Sequence, residues 1–200
     1  MSDKPCMDKD RRNWLIATSV VGSVGTAVSL YPFVDSFQPS ERAKAAGAAV
    51  EIDIAGMQPD EMRIAEWHGK PVWVVRRTSQ QVTELSKIDS ELADPNSLRD
   101  PTQFTPPYAK NQWRSIKPEY LVVVGICTHL GCSPTPKFES GAQPSLPNTW
   151  LGGFFCPCHG STFDMAGRVF KNKPAPDNLE VPPHMYLSDT KILIGDDKRV

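Results

Sequence analysis

The sequence predicts a mostly antiparallel β domain carried behind a single membrane-spanning helix. Three observations predict it. Residues 14–34 contain no charged side chain, about the length that crosses a hydrocarbon core as a helix. Downstream of residue 50 the apolar runs are short, either alternating or four residues long, as strands require. Nineteen prolines against 13 glycines favour a loop-rich fold over a helical bundle. The 200 residues carry 22 Lys plus Arg against 23 Asp plus Glu, so no global basic field exists to hold nucleic acid. An apolar fraction of 40% excludes a collagen and a disordered acidic tail.

Residues 1–13 are polar and place Lys9, Arg11 and Arg12 against the uncharged run. Basic residues on that side keep it in the cytoplasm, so the rest of the chain belongs on the far side of the membrane. Arg11-Arg12-Asn13-Trp14-Leu15 also resembles a twin-arginine export signal, which serves proteins folded around a cofactor before export. Gly22, Ser23, Gly25, Thr26 and Ser29 interleave the run of residues 14–34, as suits a helix packed on other helices. Pro32 should end or kink it. A cleaved signal peptide would need a small-residue site, and Ala45-Ala46-Gly47-Ala48 offers one; the reading adopted is an uncleaved anchor. Residues 35–49 show no apolar period and read as a flexible tether.

Residues 50–200 form the domain. Val50, Ile52 and Ile54 alternate with Glu51 and Asp53, the pattern of a half-buried strand. Met62 and Ile64 start a second strand, and Val72-Trp73-Val74-Val75 is a third, buried on both faces. Thr78-Ser79-Gln80-Gln81 fits a capping box opening a helix with Val82, Leu85, Ile88 and Leu92 on one face. Residues 93–118 hold Pro95, Pro101, Pro106, Pro107 and Pro118 and read as a long surface excursion. Leu121-Val122-Val123-Val124 is the strongest strand, with later ones near residues 153–155, Val169-Phe170 and residues 191–194.

Four of the five cysteines fall in two clusters, Cys127-Thr128-His129-Leu130-Gly131-Cys132 and Cys156-Pro157-Cys158-His159-Gly160-Ser161. Each follows an apolar strand, and each holds two cysteines and one histidine. A structural zinc site usually uses matched Cys-x-x-Cys pairs, which neither cluster has. A disulfide framework would leave both histidines without a role. A thiol-redox site would want Cys-x-x-Cys at a helix start.

These two clusters resemble the loops of the Rieske iron–sulfur proteins, and within them the membrane-anchored subunit of ubiquinol–cytochrome c oxidoreductase. The resemblance extends to the anchor, the tether and Pro174-Ala175-Pro176. It implies a Rieske-type fold, mostly antiparallel β, with a small cluster-binding subdomain built from residues 127–132, 156–161 and a Pro-rich loop at 172–176. It implies one [2Fe–2S] cluster with Cys127 and Cys156 on one iron and His129 and His159 on the other. It further implies a disulfide between Cys132 and Cys158. Ser161 matches the serine that donates to a bridging sulfide. Phe163 stands where many relatives have a tyrosine donating to a ligand sulfur, which implies a lower potential here. Asn172-Lys173 replaces a glycine before Pro174, and asparagine can take the left-handed turn.

The resemblance implies a bacterial inner-membrane subunit, single-pass, with its cluster in the periplasm. Its partners would be cytochrome b and a c-type cytochrome in a dimeric complex, with quinol at a shared site. His129 or His159 would face the quinol, and Leu130 would supply an apolar docking tip. The chain would carry one electron from quinol to the c-type cytochrome and would not be catalytic alone. A Rieske subunit of another oxidoreductase, such as arsenite oxidase, or a non-redox binding module are the other readings. His68 reads as a surface residue in a hairpin turn, and His184 after Pro182-Pro183 as a surface or capping residue. Trp113 and Trp150 read as local packing, Cys6 as a free cytosolic thiol, and the charged tail Asp196–Arg199 as a solvated terminus.

Overall fold

The computed structural model describes residues 8–38, 40, 47–99 and 104–198. Contacts divide the chain into Met1–Ala45 and Ala46–Val200. In the first unit, α1 (Lys9–Asp35) is a single helix of 27 residues. The Asp8 carboxylate accepts the Asp10 N–H at its start. Thr18, Ser23, Thr26 and Ser29 return their hydroxyls to the carbonyls of Trp14, Ser19, Gly22 and Gly25. These four hydroxyls are thus satisfied within the helix, which a lipid setting demands. Pro32 does not end the helix, which runs on to Asp35. In the final turn, its missing N–H removes one bond without breaking the element. Cys6 and residues 41–46 of the tether lie outside the described residues.

Among its described residues the second unit contains three antiparallel sheets of three strands. The strands are β1 (Val50–Asp53), β2 (Met62–Trp67), β3 (Lys70–Arg76), β4 (Tyr120–Val124), β5 (Thr135–Lys137), β6 (Gly153–Phe155), β7 (Thr162–Asp164), β8 (His184–Ser188) and β9 (Lys191–Ile194). The sheet orders are β1-β9-β8, β2-β3-β4 and β5-β6-β7. Strand side chains alternate between faces, and the middle sheet uses both. Val72, Val74, Val122 and Val124 join Ile54, Met57, Ile192 and Ile194 in one buried cluster. Trp73, Val75, Leu121 and Val123 join Phe154, Phe163, Cys127 and Cys156 in another. Burial on both faces explains why β3 and β4 read as continuous apolar runs.

Gly125 follows β4, and a Cβ there would overlap the Trp73 indole, which stacks on Phe154 at 5.2 Å. We expect Gly125→Ala to force that buried ring aside and destabilise the domain by about 1–3 kcal/mol. Thermal unfolding checks it: an unchanged melting temperature would show that the ring has room to move.

The capping box at Thr78 and Gln81 is present and opens α2 (Ser79–Glu84). The helix is shorter than its apolar period implies, because 3-10 turns take over at Leu85–Lys87 and Asp89–Glu91. Leu85, Ile88 and Leu92 are still buried. Val169-Phe170 forms only isolated bridges, while β5, β7 and β8 are strands that periodicity passed over. β5 and β7 have three residues each, and β5 carries a proline at its centre.

The described residues of 93–118 are not a surface excursion. Arg114 is fully buried and donates to Ser97 Oγ, Thr105 Oγ1 and the carbonyls of Ala166 and Leu179. Arg77 donates to the carbonyls of Pro118, Trp113 and Met165, and its burial lowers its pKa to about 10. A proline-rich segment without strands still has to satisfy its carbonyls, and the buried Arg77 guanidinium does so for Trp113 and Pro118, while Arg114 ties the segment to carbonyls elsewhere in the domain.

Candidate metal centre

Sheet register brings the two cysteine clusters together. The first cluster joins β4 to β5, and the second is the turn between β6 and β7. Thr135 pairs with Phe155, and Phe155 pairs with Thr162. Both clusters therefore leave the same end of one sheet. Their backbones also follow one pattern. Cys127 N–H donates to Cys132 O and Gly131 N–H to Cys127 O. Cys156 N–H donates to Ser161 O and Gly160 N–H to Cys156 O. Gly131 and Gly160 have φ of 80° and 75°, a left-handed turn that glycine takes without strain. Aligning the clusters on their first cysteines places a glycine four residues on in both, a signal legible in the sequence.

Cys132 and Cys158 form a disulfide across the loops, with Cα atoms 6.6 Å apart. Cys127 and Cys156 are free thiols, each 2% exposed. Burial pushes the Cys127 thiol up, and the Cys156 thiol beside it adds to the effect. The His129 N–H and the Ser161 hydroxyl pull the other way. His129 and His159 face each other with ring centres 4.7 Å apart and planes at 89°. His159 is exposed and His129 half-buried. His129 Nδ1 is buried and has no hydrogen-bond partner.

That orphaned nitrogen tests whether the site fits a metal. A buried imidazole nitrogen without a partner is costly, and two buried thiols side by side are an unusual pair. A metal group would satisfy all of them at once. Cys127, Cys156, His129 and His159 could supply two sulfur and two nitrogen ligands. The Cys132, Cys156 and Cys158 sulfurs also lie within 4.8 Å of one another. Two of those three are spent on each other in the disulfide, so Cys156 is the donor in that group.

A third loop closes over the others. Asn172 has φ of 58°, the left-handed turn its position calls for. Pro174 and Pro176 are exposed and Ala175 is buried between them. Ser161 is fully buried, and its Oγ accepts the Ala175 N–H at 3.0 Å. Thr128 Oγ1 donates to Asp177 O at 2.6 Å, so each cysteine loop holds this loop by one bond. Sequence reasoning passed over Thr128, which carries no ligand chemistry. Leu130 is 71% exposed at the tip, and Phe163 is fully buried in the apolar cluster that also holds Cys127 and Cys156. Trp150 and Trp113 pack locally, the first donating to Lys137 O and the second accepting from Arg77.

His184 is not a surface residue. It is 1% exposed because Pro182-Pro183 lead straight into β8. His68, with φ of 53°, is exposed in the β2–β3 turn.

Residues 108–183, which contain all three loops, match the family model described as the Rieske [2Fe-2S] domain. Residues 1–40, with Arg11-Arg12, match the model described as "Ubiquitinol-cytochrome C reductase Fe-S subunit TAT signal". The ubiquinol–cytochrome c reductase iron–sulfur subunit of Allochromatium vinosum is 56% identical over 96% of this chain and 91% of its own length. That of Rhodospirillum rubrum is 39% identical over 96% of this chain and 94% of its own. A solved structure titled "Hyperthermophilic respiratory Complex III" aligns with a TM-score of 0.47 at 28% identity, over 88% of this chain and 97% of that one. The chain belongs to the Rieske iron–sulfur subunits of ubiquinol–cytochrome c reductases, and its cofactor is one [2Fe–2S] cluster.

Proposed function

We propose that this chain is the electron-transfer subunit of a quinol–cytochrome c oxidoreductase. It takes one electron from quinol at cytochrome b and delivers it to a c-type cytochrome. In this reading residues 14–34 anchor it in a bacterial inner membrane, and residues 35–49 tether a periplasmic domain. The observation that carries the proposal is the pair of facing imidazoles at an exposed loop tip, backed by two buried thiols.

Cys127 and Cys156 would hold one iron, and His129 and His159 the other. When bound, the cluster supplies a one-electron acceptor of raised potential, roughly −150 to +300 mV, because neutral imidazoles replace two thiolates. The chain's own residues do the rest. His129 would bind the cluster through its buried Nδ1, which would leave Nε2 free to accept a hydrogen bond, and then a proton, from a quinol hydroxyl. His159, the more exposed of the two, is the other candidate for that contact. Leu130 and Pro174 give the tip an apolar surface that keeps water from the docked hydroxyl. The Cys132–Cys158 disulfide and the Ser161–Ala175 bond hold the three loops together around the site.

Electron paramagnetic resonance on ascorbate-reduced membranes tests the proposal, with and without a quinol-site inhibitor. A Rieske signal whose line shape moves on adding inhibitor is the expected result. A signal indifferent to inhibitor would leave the cluster in place but point to a molybdenum-containing partner. In this reading the tether lets the domain move between cytochrome b and the c-type cytochrome, so shortening residues 35–49 should slow turnover without altering the signal, and unchanged turnover would remove that movement from the reading.

Phe163 tunes the same site by omission. A hydroxyl on that ring could donate to a ligand sulfur, and a hydrogen bond favouring the reduced state by about 1 kcal/mol raises a one-electron potential by about 40 mV. We expect Phe163→Tyr to raise the midpoint potential by that order in a redox titration. An unchanged potential would show that the added hydroxyl finds another partner.

A further inference from the structure

Among the described residues, three buried side-chain polar atoms have no hydrogen-bond partner: Trp67 Nε1, His129 Nδ1 and His184 Nε2. The metal centre accounts for His129. His184 takes no part in it, and its surroundings define its protonation. Its Nδ1 lies 2.9 Å from the Pro182 carbonyl oxygen, so Nδ1 carries the hydrogen and donates it. Nε2 is left with a bare lone pair in a place that water does not reach. A second proton would enter there, and its N–H would find no acceptor.

The register gives this residue its importance. His184 pairs with Ile194 on β9, and Ile194 pairs with Val50 on β1. Gly195 N–H donates to Pro183 O at 2.7 Å, next to the same row. Gly195 packs so closely on Trp67 and Ala49 that a Cβ there would overlap the indole nitrogen. Val50 is the first strand residue after the tether. The row His184–Ile194–Val50 therefore fixes where the tether ends and the domain begins.

We propose that His184 is a proton-operated latch on the root of the tether. With His184 neutral the row is closed; a proton on Nε2 favours the open row, which frees the start of β1. Releasing Val50 and Glu51 would lengthen the tether by about 7 Å, at roughly 3.5 Å per extended residue.

The groups facing His184 are few. Tyr108 meets its ring edge-on at 5.7 Å and accepts the His184 N–H at 2.9 Å. Asp197 interacts with the Tyr108 hydroxyl and with His184, so the charged tail is partly engaged and not simply solvated. Burial lowers the His184 pKa, and the Pro182 carbonyl and Asp197 only partly oppose it. At the far end of the row, Lys191 and Glu51 form an exposed pair at 3.6 Å. His68 lies tilted against Trp67 with ring centres 4.1 Å apart and is exposed, so opening changes its environment little.

The sign follows from these positions. The closed row excludes the second proton, and the open row binds it with an ordinary histidine pKa of about 6.5. Above that pH the latch has its full stability. Below it the open fraction rises about tenfold per pH unit, until the closed-state histidine itself titrates.

Amide hydrogen exchange on the full-length, cluster-loaded protein in detergent tests this between pH 5 and 8, after correction for intrinsic rates. Peptides covering residues 47–53 and 189–196 should lose about tenfold in protection per pH unit below 6.5. The core peptide covering residues 70–76 should not. Exchange of the His184 ring C2 hydrogen reports its own titration in the same samples, and its midpoint should coincide with the pH at which that loss levels off. His184→Gln should remove the slope, and His68→Gln should leave it intact. Flat protection in the wild type, loss shared by the core peptide, a mismatch with the His184 titration, or a slope that follows His68 would each overturn the latch. Should His184→Gln fail to fold, the wild-type coincidence decides alone. None of these readouts depends on electron transfer, so the latch and the proposed function stand or fall separately.

Discussion

Cys156→Ser is expected to yield a membrane-bound chain whose β domain is folded and whose cluster is missing. Iron and acid-labile sulfide should fall to the background level, and the Rieske resonance should vanish. Cys156 is one of two free buried thiols at the site, and the remaining cysteines of the loops are joined to each other. No neighbouring thiol can take its place without breaking that disulfide. Losing a residue that only supports a ligand costs about 10–100-fold in metal affinity, and losing the ligand itself costs more. The rest of the domain has other supports. The cluster of Val72, Val74, Val122, Val124, Ile192 and Ile194 lies on the opposite face of the middle sheet. Ser161→Ala is the informative companion. It removes the acceptor for the Ala175 N–H and a hydroxyl beside Cys127, but no ligand. We expect it to keep the cluster at a shifted potential. A Cys156→Ser protein with full iron and an unaltered resonance would overturn the ligand assignment.

The site was legible because its chemistry is concentrated. Cysteine and histidine are scarce residues, and two short clusters of them after apolar strands leave few alternatives. The apolar helix was legible for a similar reason, since 14–34 contains no charge. What the sequence hid lies in long-range contacts. Residues 93–118 have no period, so nothing local reveals that Arg114 reaches carbonyls as distant as Ala166 and Leu179. The short strands β5 and β7 owe their existence to pairing with β6 and not to propensity. Histidine is compatible with both surface and core, so His184 could not be placed without its neighbours. Thr128 escaped for a further reason. Its role is a single hydrogen bond to Asp177 O, 49 residues away, and threonine signals no such partner.

The largest expected loss of stability comes from Asp164, beside the second cysteine loop. Asp164 is fully buried, and its Oδ2 accepts from Arg168 Nε at 2.8 Å. Its Oδ1 accepts the backbone N–H groups of Ala166 and Arg168. Arg168 in turn donates to Asp89 and to the carbonyls of Leu85 and Pro95, which ties the α2 region to β7. Asp164→Ala would leave the Arg168 guanidinium buried with only the half-exposed Asp89 carboxylate against its charge. Breaking a buried pair from one side costs about 3–5 kcal/mol, which for a domain of this size lowers the melting temperature by roughly 10 °C. Asp164→Asn should cost less, because the amide oxygen can still accept from the backbone. The double change Asp164→Leu with Arg168→Met should recover part of the loss, since it removes both charges and leaves neither stranded. It cannot recover all of it, because the Leu85 and Pro95 carbonyls and two backbone N–H groups then lose their partners. A double variant less stable than Asp164→Ala would show that the network's worth lies in those backbone bonds and not in the pairing of charge.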